Sequence, residues 1–506
     1  MVTSTGFQNI SELLQTRVNE EPEKVFLFSQ PDSRQFTYAE FAEAVKRTAA
    51  LLSTNGVKKG DVVSLLLPNS VEYVIAYFAC WKLGALAGPV NSLLKSQEIA
   101  YVISNSEARA LLINSEFLTL VEPLREQLAS LSAVIVFDDE RDATRDISSD
   151  TESAEVEPDH EAIIIYTSGT TGKPKGCLLT HRNIIANARQ ISEWLGFTDK
   201  DRLLTVMPLF HMNAVSVTTM AALYAGASSV VSPRFSASRF WQIISDYQIT
   251  SFGSVATMLS MLLTTYPNGV PAGLETSQLR FAMCGSAPVP AETIKRFEET
   301  FRCLVIEGYG LSESTCRSTF NPPDQRRRAG SCGMPIGNEM RVVDDNDEDV
   351  AEGELGEIVM RGENILKGYY KNPEANAVAF RSGWFHTGDV GYRDKEGFYY
   401  IVDRKSDMII RGGENIYPRE IDEVLYQHPA ILAAAVVGVP DELYGEEVAG
   451  FVVLREGSEV SEQEIIEFCK ARLADYKCPK TIRFVKDIPK GPTGKLLKRE
   501  LGKIAD

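Results

Sequence analysis

Helix-patterned and strand-patterned segments alternate through the first half of this 506-residue chain. Thr37-Tyr38-Ala39-Glu40 has the form of a capping box, with Phe36 and Phe41 spaced as a hydrophobic staple. The helix it opens runs to about Gly56, whose missing Cβ suits a C-cap. Val62–Leu67 then reads as a strand, Ser70–Leu83 as an apolar helix and Ala110–Ile113 as a further strand. Such β/α alternation implies a doubly wound parallel sheet with helices on both faces. The acidic stretch Asp138–Asp159 has few large apolar residues and reads as a surface connection.

From about Leu355 the texture changes. Short alternating strands with Gly and Asp turns are expected at Glu357–Arg361, Gly397–Val402 and Met408–Ile410. A compact α+β pattern follows Arg404. Pro418–Gln427 reads as a helix with Ile421, Val424 and Leu425 on one face, and Ala433–Val437 and Ala449–Leu454 as strands. Ser461-Glu462-Gln463-Glu464 is a second capping box, stapled by Val460 and Ile465. A domain boundary is expected near Asp403–Ser406.

Asp and Glu outnumber Lys and Arg by 69 to 52, a formal charge of −17 that argues against nucleic acid or an anionic membrane as partner. Eight cysteines without a C-x-x-C pair point to reduced, buried thiols and not to zinc or redox motifs. The N-terminal residues lack a signal-peptide pattern, no apolar run approaches the ~18 residues of a membrane span, and the last residues are no peroxisomal address. A cytoplasmic enzyme is expected.

The chemistry concentrates first at Thr167-Ser168-Gly169-Thr170-Thr171-Gly172-Lys173-Pro174-Lys175-Gly176, fed by the apolar run Glu161–Tyr166. Glycines allow sharp backbone paths, while hydroxyls and lysines supply the donors that wrap a polyphosphate. The loop is not a Walker A loop. Two residues, where that motif has four, separate Gly169 from Gly172, and Pro174 follows Lys173. Pro174 also disfavours helix at Lys173, so the loop should not run straight into one.

The order Tyr-Thr-Ser-Gly-Thr-Thr-Gly-x-Pro-Lys-Gly resembles the signature of the adenylate-forming superfamily, which contains acyl-CoA synthetases, peptide-synthetase adenylation domains and firefly-type luciferases. Further segments resemble that family in the same order: Pro208-Leu209-Phe210-His211, Gly308-Tyr309-Gly310-Leu311-Ser312-Glu313, Trp384-Phe385-His386-Thr387-Gly388-Asp389, Asp403-Arg404-Lys405 and Pro492-Thr493-Gly494-Lys495. The resemblance spans nearly the whole chain. It implies an α/β fold: a large N-terminal AMP-binding domain, 1–403, with doubly wound sheets and a small β-barrel-like subdomain, and a small mobile α+β C-terminal domain, 404–506.

The resemblance also implies roles. For ATP and AMP these fall on Thr167, Ser168, Gly169, Thr170, Thr171, Gly172 and Lys175 in the first loop, and on Gly285, Ser286 and Ala287 beside the adenine. They fall also on Glu307, Gly308, Tyr309 against the adenine ring, Ser312, and Asp389 and Arg404 at the ribose. Ser312 stands where the family usually has Thr, and keeps the hydroxyl. Glu313 with Thr167 would hold Mg²⁺, a hard cation that takes oxygen ligands. Lys495 would bridge acyl and phosphate oxygens in the first step, where an anion attacks an anion. His211 would gate between the acyl and CoA sites. Arg234, Gly412 and Gly413 would lie along CoA, and Ser406, where the family usually has Asp or Lys, would be the hinge.

Acyl-pocket candidates are His211, Met212, Ser254, Val255, Met258 and Leu311, a mainly apolar set that suits a fatty or aryl monocarboxylic acid. A small polar acid, carnitine-like or a dicarboxylate, is the alternative. A second carboxylate would need a basic partner, and Arg317 is the nearest in sequence. The expected reaction is ATP-dependent joining of a carboxylic acid to coenzyme A through an acyl-adenylate, releasing AMP and pyrophosphate. A stand-alone adenylating enzyme serving a carrier protein is a rival, as are a luciferase-like oxygenase and a catalytically dead nucleotide-binding scaffold. A homodimer is left open.

Overall fold

The computed structural model describes residues 6–147, 152–167, 174–285 and 289–489, with Lys498, Glu500 and Leu501. The expected alternation resolves into two seven-stranded sheets. The first runs, from one edge, Leu304–Glu307, Phe281–Cys284, Ser251–Ser254, Arg202–Thr205, Ser228–Val231 and Val25–Ser29, with Gln35–Thr37 at the other edge. Its strands pair in parallel except that last, which turns back antiparallel. The second runs Gly368–Tyr369, Lys175–Thr180, Glu161–Thr167, Leu86–Pro89, Val62–Leu66, Ala110–Ile113 and Ala133–Val136.

Between the sheets lies the helix Val71–Lys82, capped by Ser70, with every residue from Val71 to Trp81 buried. A helix buried on every side belongs in a core, and its one buried carboxylate, Glu72, is paired with Arg34 at 2.8 Å. Trp81 Nε1 donates to Ala162 O at 2.9 Å in the second sheet, and Tyr77 Oη to Leu209 O at 2.8 Å beyond the first. The helix thus ties the two sheets. The first capping box forms as read: Thr37 and Glu40 cap Tyr38–Thr54 reciprocally, an arrangement contributing about 1 kcal/mol. The acidic stretch is less of a surface connection than its composition implies, because Glu140 is fully buried and held by Arg47 at 2.9 Å.

The expected barrel-like subdomain is a four-stranded antiparallel sheet of Glu339–Val343, Gly356–Arg361, Phe385–Arg393 and Tyr399–Arg404. The bridge Gly333–Tyr399 joins it to the ribbon Thr319–Phe320 with Met334–Pro335. The next sheet begins at Ile409–Arg411, so the change of sheet falls between Arg404 and Ile409. This five-stranded sheet carries the helices Pro418–Tyr426 and Glu462–Lys470 around a separate core that includes Ile421, Leu425, Val436 and Ile465. Ser461 and Glu464 form the second capping box. Among the described residues, no helix is long and apolar enough to cross a membrane.

Candidate active site

The glycine-rich loop joins two antiparallel strands, Glu161–Thr167 and Lys175–Thr180, with Thr167 directly opposite Lys175. The chain leaves the loop as a strand, in keeping with the restriction Pro174 places on Lys173. Ser168, Gly169, Thr170, Thr171 and Gly172 lie outside the described residues, as do Ser286, Ala287 and Lys495.

At the mouth of this hairpin Glu313 sits in the short turn Ser312–Ser314. Its Oε1 accepts from Thr167 Oγ1 at 3.4 Å and from Tyr369 Oη at 3.1 Å. Lys175 Nζ lies 5.2 Å from the centre of the Tyr369 ring. Two hydroxyls therefore reach one carboxylate at the end of the loop, with a cation over the ring of the tyrosine that supplies one of them. The oxygens of Thr167 and Glu313 are the hard donors that Mg²⁺ prefers, and two protein ligands are the usual contribution to a site completed by phosphate and water. Among the described residues no group of three or more His, Cys, Asp or Glu could hold a metal by itself. Tyr369 was not legible in the sequence: it stands 56 residues past Glu313, in a two-residue edge strand with no motif of its own.

A second cluster forms where the small sheet meets the hairpin after Leu304–Glu307. Tyr309 Oη donates a short hydrogen bond to Asp389 Oδ2, and Arg404 Nε stands 3.1 Å from Asp389 Oδ1. Asp389 and Arg404 pair directly across adjacent strands. Burial works against the Arg404 charge, yet Asp389 keeps it above its usual range. Gly308 N donates to Cys284 O at 2.9 Å, which sets Gly285 beside Gly308 at the carboxyl ends of adjacent strands. In open α/β sheets that edge is where ligands bind.

Glu307 ends the strand before this hairpin and is 5% exposed. Burial pushes its carboxyl up to about 7, although Val289 N donates to it at 3.2 Å. The reference value is 4.5. The unfolded chain thus ionises first as pH rises from 4.5 to 7, and the native state loses about 3 kcal/mol across that window. Glu307→Gln removes this loss. Thermal unfolding of the apo protein should therefore show the variant gaining on wild type between about pH 4.5 and pH 8; parallel pH curves would contradict it.

Of the acyl-pocket candidates, Ser254 ends the strand Ser251–Ser254 and Val255 caps the helix that follows. Met212, Ser254, Val255 and Met258 are buried, and Leu311 packs against the core. The His211 ring lies against Phe210, ring centres 4.6 Å apart and planes tilted by 58°. Burial lowers its pKa to about 4, and Nε2 has no hydrogen-bond partner. Residues Asn213–Met220 form a π-helix, a form frequent at functional sites. Arg234 is exposed. Gly412 and Gly413 form the two-residue turn of the hairpin Ile409–Arg411/Glu414–Ile416, with φ of +59° and +91°. That turn alone accounts for two glycines. Ser406 is exposed in the connection between sheets, and the neighbouring Lys405 N donates to Gly388 O at 2.8 Å.

The chain matches the model of the AMP-binding enzyme family over residues 14–370 and that of the AMP-binding enzyme C-terminal domain over 420–495. It is 36% identical over 503 residues to a sulfoacetate–CoA ligase of Cupriavidus necator, covering 98% of this chain and 97% of that one. It is 35% identical over 500 residues to the long-chain-fatty-acid–CoA ligase FadD13 of Mycobacterium tuberculosis, covering 98% of each. Its fold superposes on the crystal structure of the anthranilate CoA ligase AuaEII with anthranoyl-AMP at a TM-score of 0.91 and 30% identity, covering 99% and 98% of the two chains.

Proposed function

This chain belongs to the family of AMP-binding enzymes, and from that membership we propose that it is an ATP-dependent acid–CoA ligase working through an acyl-adenylate. In the first step the carboxylate of the acid attacks the α-phosphate of ATP. An acyl–oxygen–phosphorus bond forms and pyrophosphate leaves. In the second, the thiol of CoA attacks the acyl carbonyl, a thioester forms and AMP leaves.

One contact carries this reading. The glycine-rich loop and the Gly308–Glu313 segment, 146 residues apart in sequence at Thr167 and Glu313, meet at a single carboxylate oxygen. There Glu313 and Thr167 present hard oxygens to Mg²⁺, which when bound neutralises phosphate charge. Asp389 is assigned to the ribose and Tyr309 to the adenine, with Arg404 paired to Asp389. Lys495 is assigned to the reacting oxygens of the first step. His211, neutral at physiological pH given its lowered pKa, can sit between the acyl and CoA sites without presenting charge. Arg234 and the turn at Gly412 and Gly413 are assigned to CoA, Ser406 to the hinge, and the domains to 1–403 and 404–506. The cytoplasm is the assigned compartment.

The relatives act on different acids, sulfoacetate in one and long-chain fatty acids in another, so kinship leaves the acid open. Turnover of a panel of carboxylic acids with ATP, Mg²⁺ and CoA should yield acyl-CoA, AMP and pyrophosphate. ADP and phosphate, or a product formed only on a carrier protein, would refute the proposal.

A further inference from the structure

Arg317 is among the largest fully buried side chains, 1% exposed. Its backbone is locked. Asn187 Nδ2 donates to Arg317 O at 2.6 Å, and Arg317 N donates to Asn187 Oδ1 at 3.3 Å. Just upstream, Thr315 holds a φ of +66°, uncommon for a β-branched residue, pinned by its hydroxyl to Asn364 O at 2.7 Å. The head group is not satisfied. Nε and Nη2 have no hydrogen-bond partner, and no carboxylate among the described residues pairs with it. Its Cζ lies 5.3 Å from the Phe320 ring centre, a contact that gives Nε and Nη2 no acceptor.

A buried cation without an acceptor is strongly unfavourable, and native proteins pair such groups or use them. The position indicates the use. Gly285 has no side chain, and Arg317 fills the space: a Cβ there would stand 2.5 Å from Nη1. The guanidinium thus lies over the carboxyl ends of strands Phe281–Cys284 and Leu304–Glu307. On the neighbouring strand, Gly253 faces Asn213, whose Oδ1 would be 3.0 Å from a Cβ. Both atoms of that buried amide are also unpartnered. Gly253 pairs with Met283, two residues before Gly285, so the two glycines stand near each other on adjacent strands. Met212, Val255 and Met258 are buried but apolar, and supply no acceptor for the unpartnered Nε and Nη2.

We propose that Arg317 recognises a second anionic group on the acid, so that the substrate is a small acid carrying a distal carboxylate or sulfonate and not a fatty or aryl monocarboxylate. A planar guanidinium matches either oxyanion, and the free Nε and Nη2 are the pair used for two-point contact. The inference rests on the acid–CoA ligase reading.

The test compares kcat/KM of wild type and Arg317→Met for malonate, succinate, glutarate and sulfoacetate against acetate, butyrate, hexanoate and benzoate, read as AMP release. Wild type should favour the dianionic acids over chain-matched monoacids by about 100-fold, and Arg317→Met should abolish that preference, mainly by raising KM for the acid. Arg317→Lys should restore part of it. An unchanged KM for ATP establishes that the variants are folded; should they not fold, the wild-type panel decides alone. Preference for carboxylate or for sulfonate identifies which oxyanion is read, and either supports the proposal. Wild-type preference for butyrate, hexanoate or benzoate overturns it, as does a selectivity that Arg317→Met leaves intact. Absence of AMP with every acid overturns the ligase reading and this inference with it.

Discussion

Lys495→Ala should slow acyl-adenylate formation by about 10²–10³-fold while leaving thioester formation from supplied acyl-AMP close to wild type. The first step brings a carboxylate against a phosphate, and charge accumulates on the oxygens between them. A cation held there stabilises the transition state more than the separated anions. In the second step a thiol attacks a carbonyl already activated by AMP, and that need is gone. Three residues further along the sequence, Lys498 Nζ pairs with the buried carboxylate of Asp422 at 2.9 Å, on the helix Pro418–Tyr426. The measurement is rapid-quench detection of acyl-AMP without CoA, beside a CoA reaction started from synthetic acyl-AMP. Equal losses in both would mean that Lys495 serves the fold or both steps, and the two-step division of labour would fail.

Glu313→Gln should cost about as much, roughly 10²–10³-fold in kcat/KM, for a different reason. Glutamine still accepts from Thr167 Oγ1 and Tyr369 Oη, the contacts at 3.4 and 3.1 Å, so the local geometry is kept. Only the charge is removed. A hard divalent cation loses its anionic protein ligand, and more Mg²⁺ should be needed for half-maximal rate. Titration of the rate with Mg²⁺ checks this. An unchanged Mg²⁺ dependence would assign Glu313 to packing with Tyr369.

The fold was largely legible because its elements obey local rules. Thr37 and Ser461 each begin a helix with a reciprocal cap, and Ala110–Ile113 is a continuous apolar run that a buried parallel strand requires. The candidate site's contacts follow contiguous motifs where Thr167 meets Glu313 and Arg404 meets Asp389. The site was not legible where tertiary packing makes the contact. Tyr369 reaches Glu313 from an edge strand, and Asn187 clamps Arg317 from a helix 130 residues away. Apolar letters at Met212, Val255 and Met258 suggested an apolar tail, since composition cannot reveal that a neighbouring arginine lacks a partner. Gly412 and Gly413 show the converse: glycines assigned to ligand approach also satisfy a tight turn with positive φ at both positions.

The central claim is that the acid's own carboxylate oxygen becomes bonded to the α-phosphorus of ATP. Turnover of a carboxylate labelled with ¹⁸O, followed by mass spectrometry of the nucleotide and phosphate products, tests that bond directly. The account predicts one ¹⁸O atom in AMP and none in pyrophosphate. Label in inorganic phosphate with ADP as the nucleotide product would mean attack at the γ-phosphate, and would contradict it.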